Sequence, residues 1–304
     1  MSGGAITVLV GLIGATAISF LCHKIKSSGL GHEKNEESDD GHDQQLRRAP
    51  IRAVIPCAAT TTPVQQDTPE LADDGCGFKF QYHPNTRHSI MKDQGGKGHY
   101  GSLSARNYKA LCEFSKVVLG DVTIDKAELL AARQHGLEHW DCFLLRFLRA
   151  RNFGVQQASE MLHAHISWRS SNGITSCSAQ TEDEVLRCDT TAARRFAPVW
   201  VAGFSHDCVP FVLRQLGKFD ANALLKVTSR DAVVRHHCWE QERLAALVCR
   251  KSRETGWLIE QWVTVIDLRG MSLSQVTPNL MSLTRAFAAI GKFSRRRCRS
   301  CATA

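Results

Sequence analysis

The sequence contains neither a G-x-S-x-G turn for a nucleophilic serine nor a GxxxxGK[ST] loop for phosphates. Its single C-x-x-C, Cys298 to Cys301, has no second pair and no nearby histidine, which speaks against a zinc site. His163 and His165 miss the i, i+4 spacing of a metal pair. The adjacent His236, His237 and Cys238 fall in a helical pattern and so point in different directions. With none of the required constellations in place, an enzyme is not expected, and neither a metal nor a cofactor is called for. Residue 2 is Ser, which removes the glycine needed for N-myristoylation. Twelve cysteines are scattered through a sequence rich in helical patterns, and they read mostly as reduced thiols.

What is present divides into stretches of different texture. Ala5 to Cys22 runs eighteen residues without a charge, about 27 Å as a helix and close to a bilayer core. His23, Lys24 and Lys26 follow it, and nothing basic precedes it. A signal anchor over 5–22 is therefore expected, single-pass, with the following chain facing the cytoplasm; a cleaved signal peptide and a buried helix are the alternatives. Residues 23–100 carry an acidic run (Glu33, Glu36, Glu37, Asp39, Asp40, Asp43), then arginines, threonines, prolines and glycines with little apolar periodicity. They read as a disordered linker. The formal net charge of +8 favours anionic partners. Part of it sits in a basic tail over 291–304, which lacks the aromatic interleaving of a nucleic-acid site, so no nucleic-acid partner is expected.

Between these stretches lies a folded region. Tyr108, Leu111, Cys112, Phe114, Ser115 and Val118 form a rough helical stripe. A second helix is expected from Trp140 to Arg149, and a third from Val155 to Arg169 with Asn172 and Gly173 as its stop. Pro198–Phe204 and Phe211–Leu216 read as strands, as does the segment after Gln261. Strand alternation puts Trp262, Thr264 and Ile266 on one face, with Val263, Val265 and Asp267 on the other.

The string DCFLLRFLRARNFGVQQASEMLHAHISWRSSNGI, Asp141 to Ile174, resembles the N-terminal helical module of the Sec14-like (CRAL-TRIO) family. The resemblance continues through Leu216–Leu244, with its W-E-x-E at Trp239–Glu242, and through QWVTVIDLRGMSLSQ, Gln261–Gln275. It implies a CRAL-TRIO α/β sandwich behind a helical module, 101–174, with a partial lipid-binding domain over 185–290. It implies a lipid ligand, phosphatidylinositol or another hydrophobic molecule, to be bound, transferred or presented at a membrane. It further implies that Arg151, the second arginine of R-A-R, matches a phosphoinositide headgroup contact, as a guanidinium fork suits phosphate. Thr264 matches a phosphocholine contact, and the face of Trp262, Thr264 and Ile266 would line an apolar cavity. Val201 and Val212 stand where phosphatidylcholine-binding members carry tyrosines, and Trp262 where they carry a serine, so a choline headgroup loses its partners. After Ile290 the chain reads GKFSRRRCRSCATA where the family continues into the rest of the sheet, so a domain incomplete at its C-terminus is expected. The competing reading is an anchored adaptor whose domain carries no lipid, with a protein partner that the sequence does not name.

Overall fold

The computed structural model describes residues 81–82 and 98–293. The expected anchor at 5–22, most of the 23–100 linker and all but the first residues of the 291–304 tail lie outside them.

The chain from Ala105 builds a helical module. Ser104 opens α1 (Ala105–Gly120) by accepting from the Asn107 amide, and Leu111, Phe114 and Val118 are its buried stripe at spacings of three and four. Tyr108, expected in that stripe, lies outside it, exposed. A short α2 (Lys126–Ala132), capped by Asp125, was not anticipated. In α3 (Trp140–Ala150) Cys142, Phe143, Leu144, Leu145, Phe147 and Leu148 are all buried, so the helix is apolar almost all round and fills the centre of the module. The chain then turns through Asn152 and Phe153, both in the left-handed region, into α4 (Val155–Ser171). Ala158, Leu162 and Ile166 of α4 face the same core.

Three short helices, α5 (Ile174–Ser178), α6 (Glu182–Leu186) and α7 (Thr190–Phe196), lead into the α/β part. Strand β1 (Val199–Phe204) pairs antiparallel with β2 (Pro210–Gln215), which pairs parallel with β3 (Val263–Asp267) in the order β1-β2-β3. Between β2 and β3 run α8 (Ala221–Val227) and the 26-residue α9 (Arg230–Thr255), capped by Ser229 and ended by Gly256 at positive φ. Helix α10 (Pro278–Phe293) follows β3, its Leu280 and Leu283 packed with Leu224, Val233 and Ala193. The mixed helix and sheet architecture agrees with the α/β expectation.

Two pieces of the expected linker belong to this fold. Gln81 bridges to Trp257, and the Leu258 amide donates to the Gln81 carbonyl at 2.5 Å. Tyr100 packs against Cys142 and Leu258.

The single-pass membrane placement is corrected. Among the described residues no helix is long and apolar enough to cross a membrane. Even α9, long enough to do so, carries charged side chains from Arg230 to Glu254.

Candidate functional site

Cross-strand register assembles the site. Val201 is paired with Val212, and Val212 with Thr264, so the three form one row across the sheet on a common face. Ile266, beside Arg214, extends that face by a second row. The residues expected from the sequence at Val201, Val212, Thr264 and Ile266 are thus neighbours, and Trp262 precedes them on the same side.

Helix α9 lies over this face. Val212, 2% exposed, packs with Leu244, Val248 and Cys249 of α9 and with Trp262, itself 5% exposed. The Trp262 indole therefore fills the space beneath α9, where alternation alone had it lining a cavity. The cover is incomplete at β1. Val201 is 45% exposed, and Phe204, on the same face, is also open, with the Lys251 ammonium 5.2 Å from its ring centre. The arrangement is an apolar seam, closed by an indole at β2 and β3 and open at β1.

One end of the seam is polar. The Arg214 guanidinium donates to Glu240 of α9 at 3.0 Å, and His237 Nδ1 lies 3.7 Å from the same carboxylate. Burial works against the Glu240 charge, but Arg214 and His237 hold its carboxyl well below the usual range. Burial pushes the His237 imidazole down, and its ring packs on Phe287 of α10 with centres 4.5 Å apart.

The W-E-x-E segment distributes its members among different partners. Trp239 donates its indole N–H to the Gln180 carbonyl at 2.9 Å. Glu242 accepts from Arg169 of α4 at 2.8 Å and from Gln134 at 3.0 Å. Arg169, 2% exposed, also reaches Glu128 at 3.5 Å. This buried cluster fastens the helical module to α9.

A second buried cluster joins the same parts at another point. Glu260, just before β3, receives Arg149 at 3.2 Å and the Tyr82 hydroxyl at 2.5 Å, with His99 at 3.5 Å. Burial opposes its charge, yet Arg149, His99 and Tyr82 hold the Glu260 carboxyl well below the carboxylate range. Burial and Glu260 together push the Tyr82 phenol up. Sequence reasoning passed over Arg149 and Arg169. The available signal was spacing, since Arg149 lies four residues after the buried Leu145 and Arg169 three after the buried Ile166.

Arg151 sits elsewhere. It caps the end of α3, exposed, and its guanidinium donates to the Ala150 carbonyl at 3.1 Å, with no carboxylate in salt-bridge range among the described residues. At the end of β3, Asp267 accepts from the Arg269 backbone and guanidinium at 2.8–3.0 Å, which fixes the following loop. Among the described residues no group of acidic, histidine or cysteine side chains is arranged to hold a metal ion.

The profile of the CRAL/TRIO, N-terminal domain matches residues 109–164, the span of α1 to α4. The chain is 30% identical over 188 residues to the SEC14 cytosolic factor of Yarrowia lipolytica, covering 60% of this chain and 34% of that protein. It is 28% identical over 153 residues to the SEC14 cytosolic factor of Eremothecium gossypii, covering 50% of this chain and 48% of the other. A CRAL-TRIO domain-containing protein of Saccharomyces cerevisiae is 28% identical over 177 residues, or 57% and 53% of the two chains. The chain thus spans about a third to a half of the length of these relatives. Two of the three are named as cytosolic factors. In the helical module that the profile matches and across these relatives, the chain is similar to Sec14-like CRAL-TRIO proteins, and the α/β architecture behind the module agrees with that likeness.

Proposed function

We propose that the chain binds a hydrophobic ligand, phosphatidylinositol first among the candidates, in the seam between the sheet and α9, and transfers or presents it at a membrane. The observation that carries this reading is the row Val201–Val212–Thr264, an apolar strip ending in one hydroxyl, left open at β1 and closed further in by Trp262 and the α9 side chains Leu244 and Val248. Each acyl CH₂ leaving water for such a surface gains about 0.8 kcal/mol, so acyl chains supply the affinity without covalent chemistry. Valines in the row offer a choline headgroup no hydroxyl, which supports a ligand recognised through phosphate. Arg151, exposed and with no carboxylate in salt-bridge range among the described residues, is the cation we assign to that phosphate.

The test is uptake of labelled phosphatidylinositol and phosphatidylcholine from vesicles by the full chain and by Arg151→Ala. Preferential uptake of phosphatidylinositol, weakened in the variant with unfolding unchanged, is the expected result. A chain that neither binds nor moves either lipid refutes the reading. One observation favours a second reading, a partner-binding domain that carries no lipid: the indole of Trp262 already occupies the seam. That reading predicts no uptake even after Trp262 is made small.

A further inference from the structure

Resting on the lipid-binding reading, we propose that the tip formed by the last turn of α1 and the turn after it, Val117 to Val122, docks on an anionic phospholipid surface, its apolar side chains entering the interface between flanking lysines. Single exposed apolar residues are ordinary. Here Val117, Leu119 and Val122 are exposed within six residues, Leu119 at 65% and Val122 at 92%. The turn that presents them is fixed. The Asp121 carboxylate accepts from the Thr123 amide at 2.8 Å and its hydroxyl at 2.7 Å, and lies 2.8 Å from His163 Nε2. A fixed turn holding two large apolar side chains in water has no use for them in the core of the module, which Leu111, Phe114, Val118 and Ile124 already fill from this segment.

The charge around the tip selects the partner. Lys126 reaches back from α2 to donate to the carbonyls of Val118 at 3.2 Å and Asp121 at 2.8 Å, placing its ammonium beside the tip. Arg106, Lys109, Glu113 and Lys116 lie at spacings of three and four along the exposed side of α1. That stripe carries three cations and one carboxylate and leads to Val117. Asp121 is turned towards Thr123 and His163, and Asp125 is spent on capping α2. An apolar tip with a basic flank is the chemistry of an interfacial contact with acidic headgroups, where buried apolar area and charge attraction add.

The experiment places p-benzoylphenylalanine at the tip, Val122→p-benzoylphenylalanine, in the full chain. The control is Asp231→p-benzoylphenylalanine, at a site whose side chain is 87% exposed at the start of α9. Both are irradiated on vesicles of phosphatidylcholine with and without phosphatidylserine. Because the readout is local to position 122, membrane activity elsewhere in the chain does not enter it. Lipid adducts are expected at 122, increased by phosphatidylserine and suppressed at high salt, and not at 231. Leu119→Ser with Lys126→Gln should lower the yield at 122 by about 10-fold or more, as apolar area and charge are removed together. Yields at 122 no higher than at 231, or protein dimers in place of lipid adducts, overturn the proposal; the second outcome makes the tip a contact between copies. Uptake of labelled phosphatidylinositol in the same preparations reports the seam separately, so a failure of the tip and a failure of the lipid-binding reading are told apart.

Discussion

Replacing Arg169 by methionine tests whether the buried cluster on Glu242 holds the helical module to the α/β part. The side chain is 2% exposed and bonds Glu242 at 2.8 and 3.3 Å, with Glu128 at 3.5 Å and the Thr175 hydroxyl at 3.5 Å. Methionine retains much of the apolar stem and removes the charge, leaving two largely buried carboxylates without their cation. Loss of one partner of a buried pair costs about 3–5 kcal/mol, a large share of the 5–15 kcal/mol of a typical domain. With slopes of about 1–3 kcal/mol per molar urea, the midpoint should fall by about 1–5 M. Adding Glu242→Gln to Arg169→Met removes the orphaned charge and should recover part of the loss, whereas Glu242→Gln alone should destabilise. Urea unfolding followed by tryptophan fluorescence reads all three. A loss below about 1 kcal/mol for Arg169→Met, against the 3–5 expected, or additive losses in the double variant, would mean that the cluster is not what joins the two parts.

Trp262→Ser should destabilise the fold by about 3–5 kcal/mol, as expected for emptying an aromatic site, while raising uptake of labelled phosphatidylinositol; lower uptake would make the indole part of the ligand surface and not a plug. Acid stability should depend on Glu260. Its folded pKa is depressed, so its contribution is complete above the unfolded value of about 4.3 and is lost as pH falls towards the folded one. Glu260→Gln should therefore flatten the fall in unfolding free energy below that pH, and an unchanged acid limb in denaturant titrations would refute the assignment. Gly217→Ala should destabilise by more than about 2 kcal/mol, in the range of overpacking, because a Cβ there would stand 1.9 Å from the Arg269 carbonyl oxygen and force the loop after β3 aside; thermal unfolding within error of the parent would show that the loop yields freely.

Much of the framework is legible in the sequence because it is written in local periodicity. The helices at Trp140 and Val155 and all three strands lie within a few residues of their expected places, since apolar spacing and the Asn172–Gly173 stop are local signals. Alternation also put Thr264 and Ile266 on one face, as the register has them, and Trp262 packs with Val212 of the same row. Occupancy was not legible. That the indole fills the seam depends on where Leu244 and Val248 of α9 come down, a contact between distant residues. The same holds for α2, which has too few residues for a periodic signal and is held by the core around Leu129. The two arginines of R-A-R differ in burial. Arg149 is the buried one because it lies a full turn after Leu145, while Arg151 falls where the helix ends.

The sheet's connectivity also orders events in time. Strands β1 and β2 meet across a short connection, but β3 joins them only after the chain has run through α8 and all of α9. The helical module, built from neighbours in sequence, closes early; the parallel pairing of Val212 with Thr264 closes a long loop and comes late. Helicity should therefore precede the row to which we assign ligand binding. A nascent chain passes through a state with its helices formed and the β2 edge unpaired, and that state is where aggregation and chaperone capture would compete with the final pairing.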